Sequence, residues 1–93
     1  MNVAEGKLHR RVTIANQKGL HARAAAKFVK LAGTFNAAIE VARGDQRVSG
    51  LSIMGLMMLA AGPGTEIELF ASGVDAERAL AALAQLVLDK FGE

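Results

Sequence analysis

The sequence predicts an α+β fold in two layers, an antiparallel sheet with helices packed on one face, in the order β-α-β-β-α-β-α. Three observations carry that expectation. Segments in which every second residue is apolar alternate with segments whose apolar residues recur at helical spacing. The two middle strands are joined by a turn too short for a crossover, which makes them antiparallel neighbours. At 93 residues the chain supports one hydrophobic core, hence one domain over 1–93, with 1–7 expected as a loosely ordered N-terminal extension. A ferredoxin-like arrangement of the first six elements is the competing topology that these residues leave open.

The first strand is read over Leu8–Ala15, where Leu8, Val12 and Ile14 share one face and His9, Arg11 and Thr13 the other. Asn16–Gln17–Lys18–Gly19 is loop chemistry, with Gly19 able to adopt a backbone other residues avoid. Ala22 to Gly33 holds five Ala, two Lys, an Arg and a Leu, a helix-forming composition. Ala22, Ala25, Ala26, Val29 and Ala32 form its expected core stripe, Phe28 widens it, and Gly33 ends the helix. Ala37, Ile39 and Val41 alternate with Ala38, Glu40 and Ala42 in a second strand, and Arg43–Gly44–Asp45 turns it into a short third over Gln46–Ser49.

After the break at Gly50, Ser52 to Ala60 is apolar and poor in β-branched residues, and reads as a short helix capped by Ser52. Gly62–Pro63–Gly64 is a turn. Thr65 to Ser72 is the final strand, with Ile67, Leu69 and Ala71 on one face and Glu66, Glu68 and Phe70 on the other. Asp75 is expected to cap the last helix, on which Ala76, Leu80, Leu83, Ala84, Val87 and Phe91 keep helical spacing.

Hydrophobic residues make up 52% of the chain and charged residues 22%, which excludes a disordered tail or a fibrous repeat. The absence of cysteine removes disulfides, thiolate chemistry and cysteine zinc sites, and fits the expected cytoplasmic location. The longest apolar run, Leu51 to Gly62, falls short of the about 20 residues of a membrane span, so no membrane insertion is expected. Met1 to Gly6 carries no apolar core of a secretory signal. The net charge of +2 conceals an asymmetry: residues 1–47 hold nine Lys/Arg against three Asp/Glu, and residues 48–93 hold two against six. Charge clustered in this way steers an anionic ligand or an acidic protein face to one side of the molecule. Nucleic acid is disfavoured as that partner, because Trp and Tyr are absent and four Phe supply few stacking platforms.

Two histidines are present. His9 lies mid-strand on the outer face with no partner suggested by its neighbours in sequence. His21 follows the Gly19 loop and opens a helix, where backbone N–H groups lack internal partners and the dipole is positive. An anion held on His21 would meet those donors, and Arg23 adds a guanidinium fork suited to phosphate oxygens. Lys27 and Lys30 continue the basic ridge at i+4 and i+7 from Arg23. Position alone leaves two readings open, a capping histidine among solvated cations or a phosphohistidine site. Imidazole is nucleophilic near neutral pH and can take a phosphoryl group and hand it on. No metal-ligand cluster, Ser-His-acid arrangement or P-loop stands out, so no metal, cofactor or substrate pocket is expected.

The second feature is the apolar segment after Ser52. If Leu56, Leu59 and Ala60 point inward, Ile53, Met54 and Met57 stay partly exposed as an adaptable docking surface, unless loops cover them.

Gly19–Leu20–His21–Ala22–Arg23, followed about thirty residues later by Ser52–Ile53–Met54–Gly55–Leu56–Met57–Met58–Leu59–Ala60–Ala61–Gly62 and Gly64–Thr65–Glu66–Ile67, resembles HPr. That family is the histidine-containing phosphocarrier of the bacterial phosphoenolpyruvate-dependent phosphotransferase system. The similarity spans roughly residues 8–91, and two separate motifs at the expected separation make it specific. It implies an open-faced β-sandwich, a four-stranded antiparallel sheet with three helices on one face, against the ferredoxin-like alternative. It also implies that His21 is the residue phosphorylated at Nδ1 and that Arg23 attends the phosphoryl group. Ser52 matches the serine that an HPr kinase/phosphorylase modifies in many members. Leu20, Ala24, Lys27, Ile53, Met54 and Met57 fall where members dock on partners. Two positions depart from the pattern: Ala24 replaces the usual proline, and Leu51 stands where many relatives carry lysine. Alanine is a good helix former, so the site geometry is expected to survive.

The resemblance implies a stoichiometric phosphoryl carrier rather than an enzyme. His21 would accept the group from enzyme I, itself charged by phosphoenolpyruvate, and pass it to a histidine of an EIIA-type protein, in sugar uptake or in a regulatory nitrogen-type branch. The alternative from a different class is a regulatory interaction module that binds through the methionine patch and is switched at Ser52.

Overall fold

A computed structural model describes residues 7–93, and the expectations for Met1 to Gly6 lie outside them. The order is β1 (Leu8–Thr13), α1 (Ala22–Ala32), β2 (Ala38–Arg43), β3 (Gln46–Ser49), α2 (Ile53–Met58), β4 (Glu66–Ser72) and α3 (Ala76–Leu88), closed by a 3₁₀ turn over Lys90–Gly92. The four strands form one antiparallel sheet in the order β1-β4-β2-β3. A ferredoxin-like sheet holds its first strand in the interior, whereas here β1 is an edge and β4 takes the inside place.

Register aligns the core. Val12 stands opposite Ile67, Val41 opposite Leu69 and Ile39 opposite Ala71, so one face of the sheet is a continuous apolar floor. The helices cover it with Phe28 of α1, Leu56 of α2, and Ala79, Leu80, Leu83 and Val87 of α3, all buried. Removing a side chain as large as Phe28 from water contributes about 1.5–3 kcal/mol, which is why it sits at the centre of its helix's inner stripe.

That preference explains a correction on α1. Ala22 and Ala26, expected inward, are exposed, while Ala24, Ala25, Phe28 and Ala32 are buried. The inner face is the set at i−4, i−3 and i+4 around Phe28, rotated from the alanine count because phenylalanine has the greater area to hide. On α2, Leu56 and Leu59 point inward as expected, but Ala60 is exposed with φ +52°, beyond the helix end. Phe91 is also buried outside α3 proper: the chain turns through φ +56° at Lys90 and +55° at Phe91 to bring the ring back to the core.

Asp75 occupies the N-cap position of α3 without capping it. Its backbone, at φ −101° and ψ 14°, is not the extended form that aims a cap side chain at the helix amides. The carboxylate accepts instead from Arg78 Nη2 at 2.7 Å and from the Asn36 N–H at 2.7 Å. The Arg78 hydrogen bond first, and the Asn36 amide second, hold this carboxyl below the ordinary carboxylate range.

The outer face of the sheet is polar and cross-linked. His9 lies opposite Phe70 in register, its ring stacks on Phe70 at 5.8 Å, and its Nδ1 stands 3.2 Å from Glu68. His9 thus has partners, all supplied by β4 and remote in sequence. Arg47 stands over the same ring at 4.2 Å. Among the described residues no helix is long and apolar enough to cross a membrane.

Candidate functional site

Four loops and helix ends meet where β1 hands the chain to α1. Gly19 has φ +61°, and a Cβ there would collide with the Ala61 carbonyl oxygen, so this position requires glycine both for its backbone and for the close approach. The next amide, Leu20 N–H, donates to that carbonyl at 3.0 Å, joining the loop to the segment after α2.

His21 is the N-cap of α1 with extended backbone and no side-chain cap bond. The first helical bond runs from Ala25 N–H to His21 O at 2.9 Å, so the amides of Ala22, Arg23 and Ala24 have no acceptor within the helix. The imidazole is held at both nitrogens. Nδ1 lies 3.0 Å from the Gly19 carbonyl, to which it donates in this arrangement, and Nε2 lies 3.3 Å from Glu93 Oε2. Asn16 ties those two acceptors together, its Nδ2 donating to Gly19 O at 2.9 Å and to Glu93 Oε2 at 3.3 Å. Asn16 is 1% exposed, and its Oδ1 has no hydrogen-bond partner among the described residues. The His21 side chain remains 26% exposed, enough for a partner to reach it.

Two shallow clefts flank the ring. One, of about 510 Å³, is lined by Lys18, His21, Ala22, Arg23 and Glu93. The other, of about 290 Å³, runs from Lys18 and His21 to Met57 and Ala61. Both are open hollows on the surface. Arg23 is exposed and enters no ion pair among the described residues. Lys27, expected as a docking cation, donates to the Phe91 carbonyl at 2.7 Å and so anchors the closing turn to α1.

The expected docking residues separate into two groups. Leu20 is 5% exposed and Ala24 0%, so they support the site from beneath and offer no contact surface; Ala24 is on the inward stripe with Phe28. Ile53, Met54 and Met57 are exposed at 40%, 73% and 43%, and Met58 at 68% and Leu51 at 54% extend the patch. No loop among the described residues covers it. Ser52 caps α2, its Oγ accepting from Gly55 N–H at 2.9 Å. Sequence reasoning missed Asn16, Lys18 and Glu93. Lys18 lay within the recognised basic stretch, whereas Asn16 and Glu93 carry no signal until the closing turn brings the end of the chain to His21.

Comparisons with known proteins fit this architecture. Residues 8–89 match the family model described as the PTS HPr component phosphorylation site. The chain is 46% identical to phosphocarrier protein HPr of Cupriavidus necator over 92% of its length and 97% of that protein. It is 48% identical to phosphocarrier protein NPr of Shewanella violacea, covering 94% and 96%. The crystal structure of HPr-C-His from Thermoanaerobacter tengcongensis matches with a TM-score of 0.88 and 42% identity, covering 92% and 97%. With near-complete coverage in both sequence and fold, the chain belongs to the HPr family, the phosphocarriers of the phosphotransferase system.

Proposed function

We propose that His21 is the phosphoryl acceptor of this carrier, receiving the group at Nδ1 from phospho-enzyme I and passing it to a histidine of an EIIA-type protein. The carrying observation is the placement of His21 at the start of α1, a half-buried but reachable imidazole beside three unpaired helix amides and the Arg23 guanidinium. Nδ1 attacks with a lone pair, so the ring proton belongs on Nε2, which faces the Glu93 carboxylate at 3.3 Å. Once Nδ1 has given its proton to solvent, its lone pair opposes that of the Gly19 carbonyl, and the repulsion turns the ring outward. The Nδ1–P bond then forms as the bond from phosphorus to the donor histidine nitrogen breaks, and that nitrogen keeps the electron pair. Ala22 and Arg23 amides and the Arg23 side chain meet the phosphoryl oxygens. Because residue 24 is alanine, its amide N–H is a further donor that a proline would lack.

Ile53, Met54 and Met57, extended by Met58, form the docking face, and Ser52 at its margin is the regulatory site for an HPr kinase/phosphorylase. The setting is the cytoplasm, and the relatives include both an HPr and an NPr, so the reading covers sugar uptake and a nitrogen-type branch. Incubation with enzyme I and phosphoenolpyruvate should place an acid-labile, base-stable phosphate on the chain. His21→Ala should abolish it with the melting temperature little changed, since the side chain is outside the core. Normal phosphorylation of that variant would overturn the assignment.

A further inference from the structure

We propose that Arg43 is a positioning residue that sets the place of the His21 loop relative to α2, an inference that rests on the carrier reading for its functional half. Arg43 ends β2 and, like His21, precedes α2 in the chain. Its Nη1 donates to Leu59 O at 2.9 Å and to Ala60 O at 3.0 Å. These are carbonyls at the C-terminal end of α2, a helix of six residues with no basic side chain in its own last turn. A guanidinium there satisfies acceptors that have no helical donor and opposes the negative end of the dipole.

The clamp acts on a strained point. Ala60 holds φ +52°, a backbone region that L-residues other than glycine disfavour, and it keeps this conformation while its own carbonyl is bonded to Arg43. The peptide that follows presents the buried Ala61 carbonyl to Leu20 N–H at 3.0 Å, with Gly19 packed directly against the same oxygen. Leu20 precedes His21. A continuous path therefore runs from Arg43 through the Leu59 and Ala60 carbonyls and the Ala61–Leu20 hydrogen bond to His21. Docking on α2 and chemistry at His21 must be satisfied together, and this path fixes the offset between them.

Loss of Arg43 frees Ala60 to relax to negative φ, which rotates the Ala61 carbonyl away from Leu20. The patch side chains stay exposed, so a partner still docks, but His21 presents to it out of place. Misplacement of a reacting group by about 1 Å costs up to 10²-fold in rate. The test compares Arg43→Ala, Arg43→Lys and, as a control from the same hairpin, Arg47→Ala. In Arg43→Ala the Leu20 amide should exchange with solvent about tenfold faster relative to the amides of the sheet core, which report the global stability. In the enzyme I reaction its kcat should fall about tenfold with KM within twofold. Arg43→Lys, which keeps charge and one donor, should fall between, and Arg47→Ala should match the wild type. A merely destabilised carrier would show a raised apparent KM and an intact kcat. Unchanged Leu20 exchange in Arg43→Ala overturns the clamp, and faster exchange with unchanged kcat overturns its part in transfer. If the wild type accepts no phosphoryl group, the carrier reading fails, while the exchange measurement still decides whether Arg43 positions the loop.

Discussion

Arg23 and Lys27 stand one turn apart on α1 with the same charge and different employment. Arg23 is exposed beside His21, whereas the Lys27 ammonium is spent on the Phe91 carbonyl at 2.7 Å. Arg23→Ala should therefore slow phosphoryl transfer by about 10²–10³ without lowering the melting temperature, as expected for one electrostatic donor lost from a reacting centre. Lys27→Ala should do the reverse, costing about 1 kcal/mol of stability and leaving the rate near that of the wild type. Rapid-quench kinetics beside thermal melts would separate them, and equal small rate effects would reduce Arg23 to a docking charge. The sequence placed both residues on one ridge correctly. It could not reveal the carbonyl 64 positions further on, because helical spacing reports which face a side chain occupies and nothing about what folds back onto that face. His9 teaches the same lesson, its Phe70 and Glu68 partners being visible only once β1 and β4 are in register.

At the level of elements, α2 joins two duties in six residues: its N-cap is Ser52, and its outer side is the methionine patch. An aspartate at position 52 keeps an oxygen for the Gly55 amide and adds negative charge at the favourable end of the helix dipole. The same charge stands beside Ile53, exposed with Met54 and Met57, and burying it under a partner requires its desolvation. Ser52→Asp should therefore hold or slightly raise the melting temperature while raising the KM for the carrier in the enzyme I reaction, with kcat preserved. An unchanged KM with a large drop in melting temperature would contradict this division of labour. The existence of α2 and its cap were legible because a serine hydroxyl set before an apolar run can accept from an amide of the first helical turn, as Ser52 does from Gly55. The rotation of α1 was not, since five alanines weigh equally in a spacing count and only the packed sheet shows that Phe28 decides.

For the whole molecule, alternation identified which residues of each strand face inward, yet it is silent on which strand lies beside which. Likeness to a family supplied the open-faced β-sandwich where the residues alone had left a ferredoxin-like sheet in contention, and the strand order β1-β4-β2-β3 is visible only in the structure. Among the described residues that order leaves two borders where backbone N–H and C=O groups have no neighbouring strand, β1 on one side and the four-residue β3 on the other. Such borders invite a second copy of the chain to continue the sheet. β3 offers too little length for it. β1 is longer, but Arg10 and Arg11 along it and Lys7 just before it are exposed, with Glu40 and Glu68 offsetting only Lys7 and Arg11, so two copies brought together there would oppose cation to cation. The basic N-terminal half, expected to draw in acidic partners, should also oppose the pairing of two copies at β1. Replacing Arg10 and Arg11 together by threonine, a residue well suited to strands, should make the weight-average mass in sedimentation equilibrium rise with concentration above that of the wild type. If the two proteins sediment alike up to the highest concentration, the charges on β1 play no part in keeping this sheet at four strands.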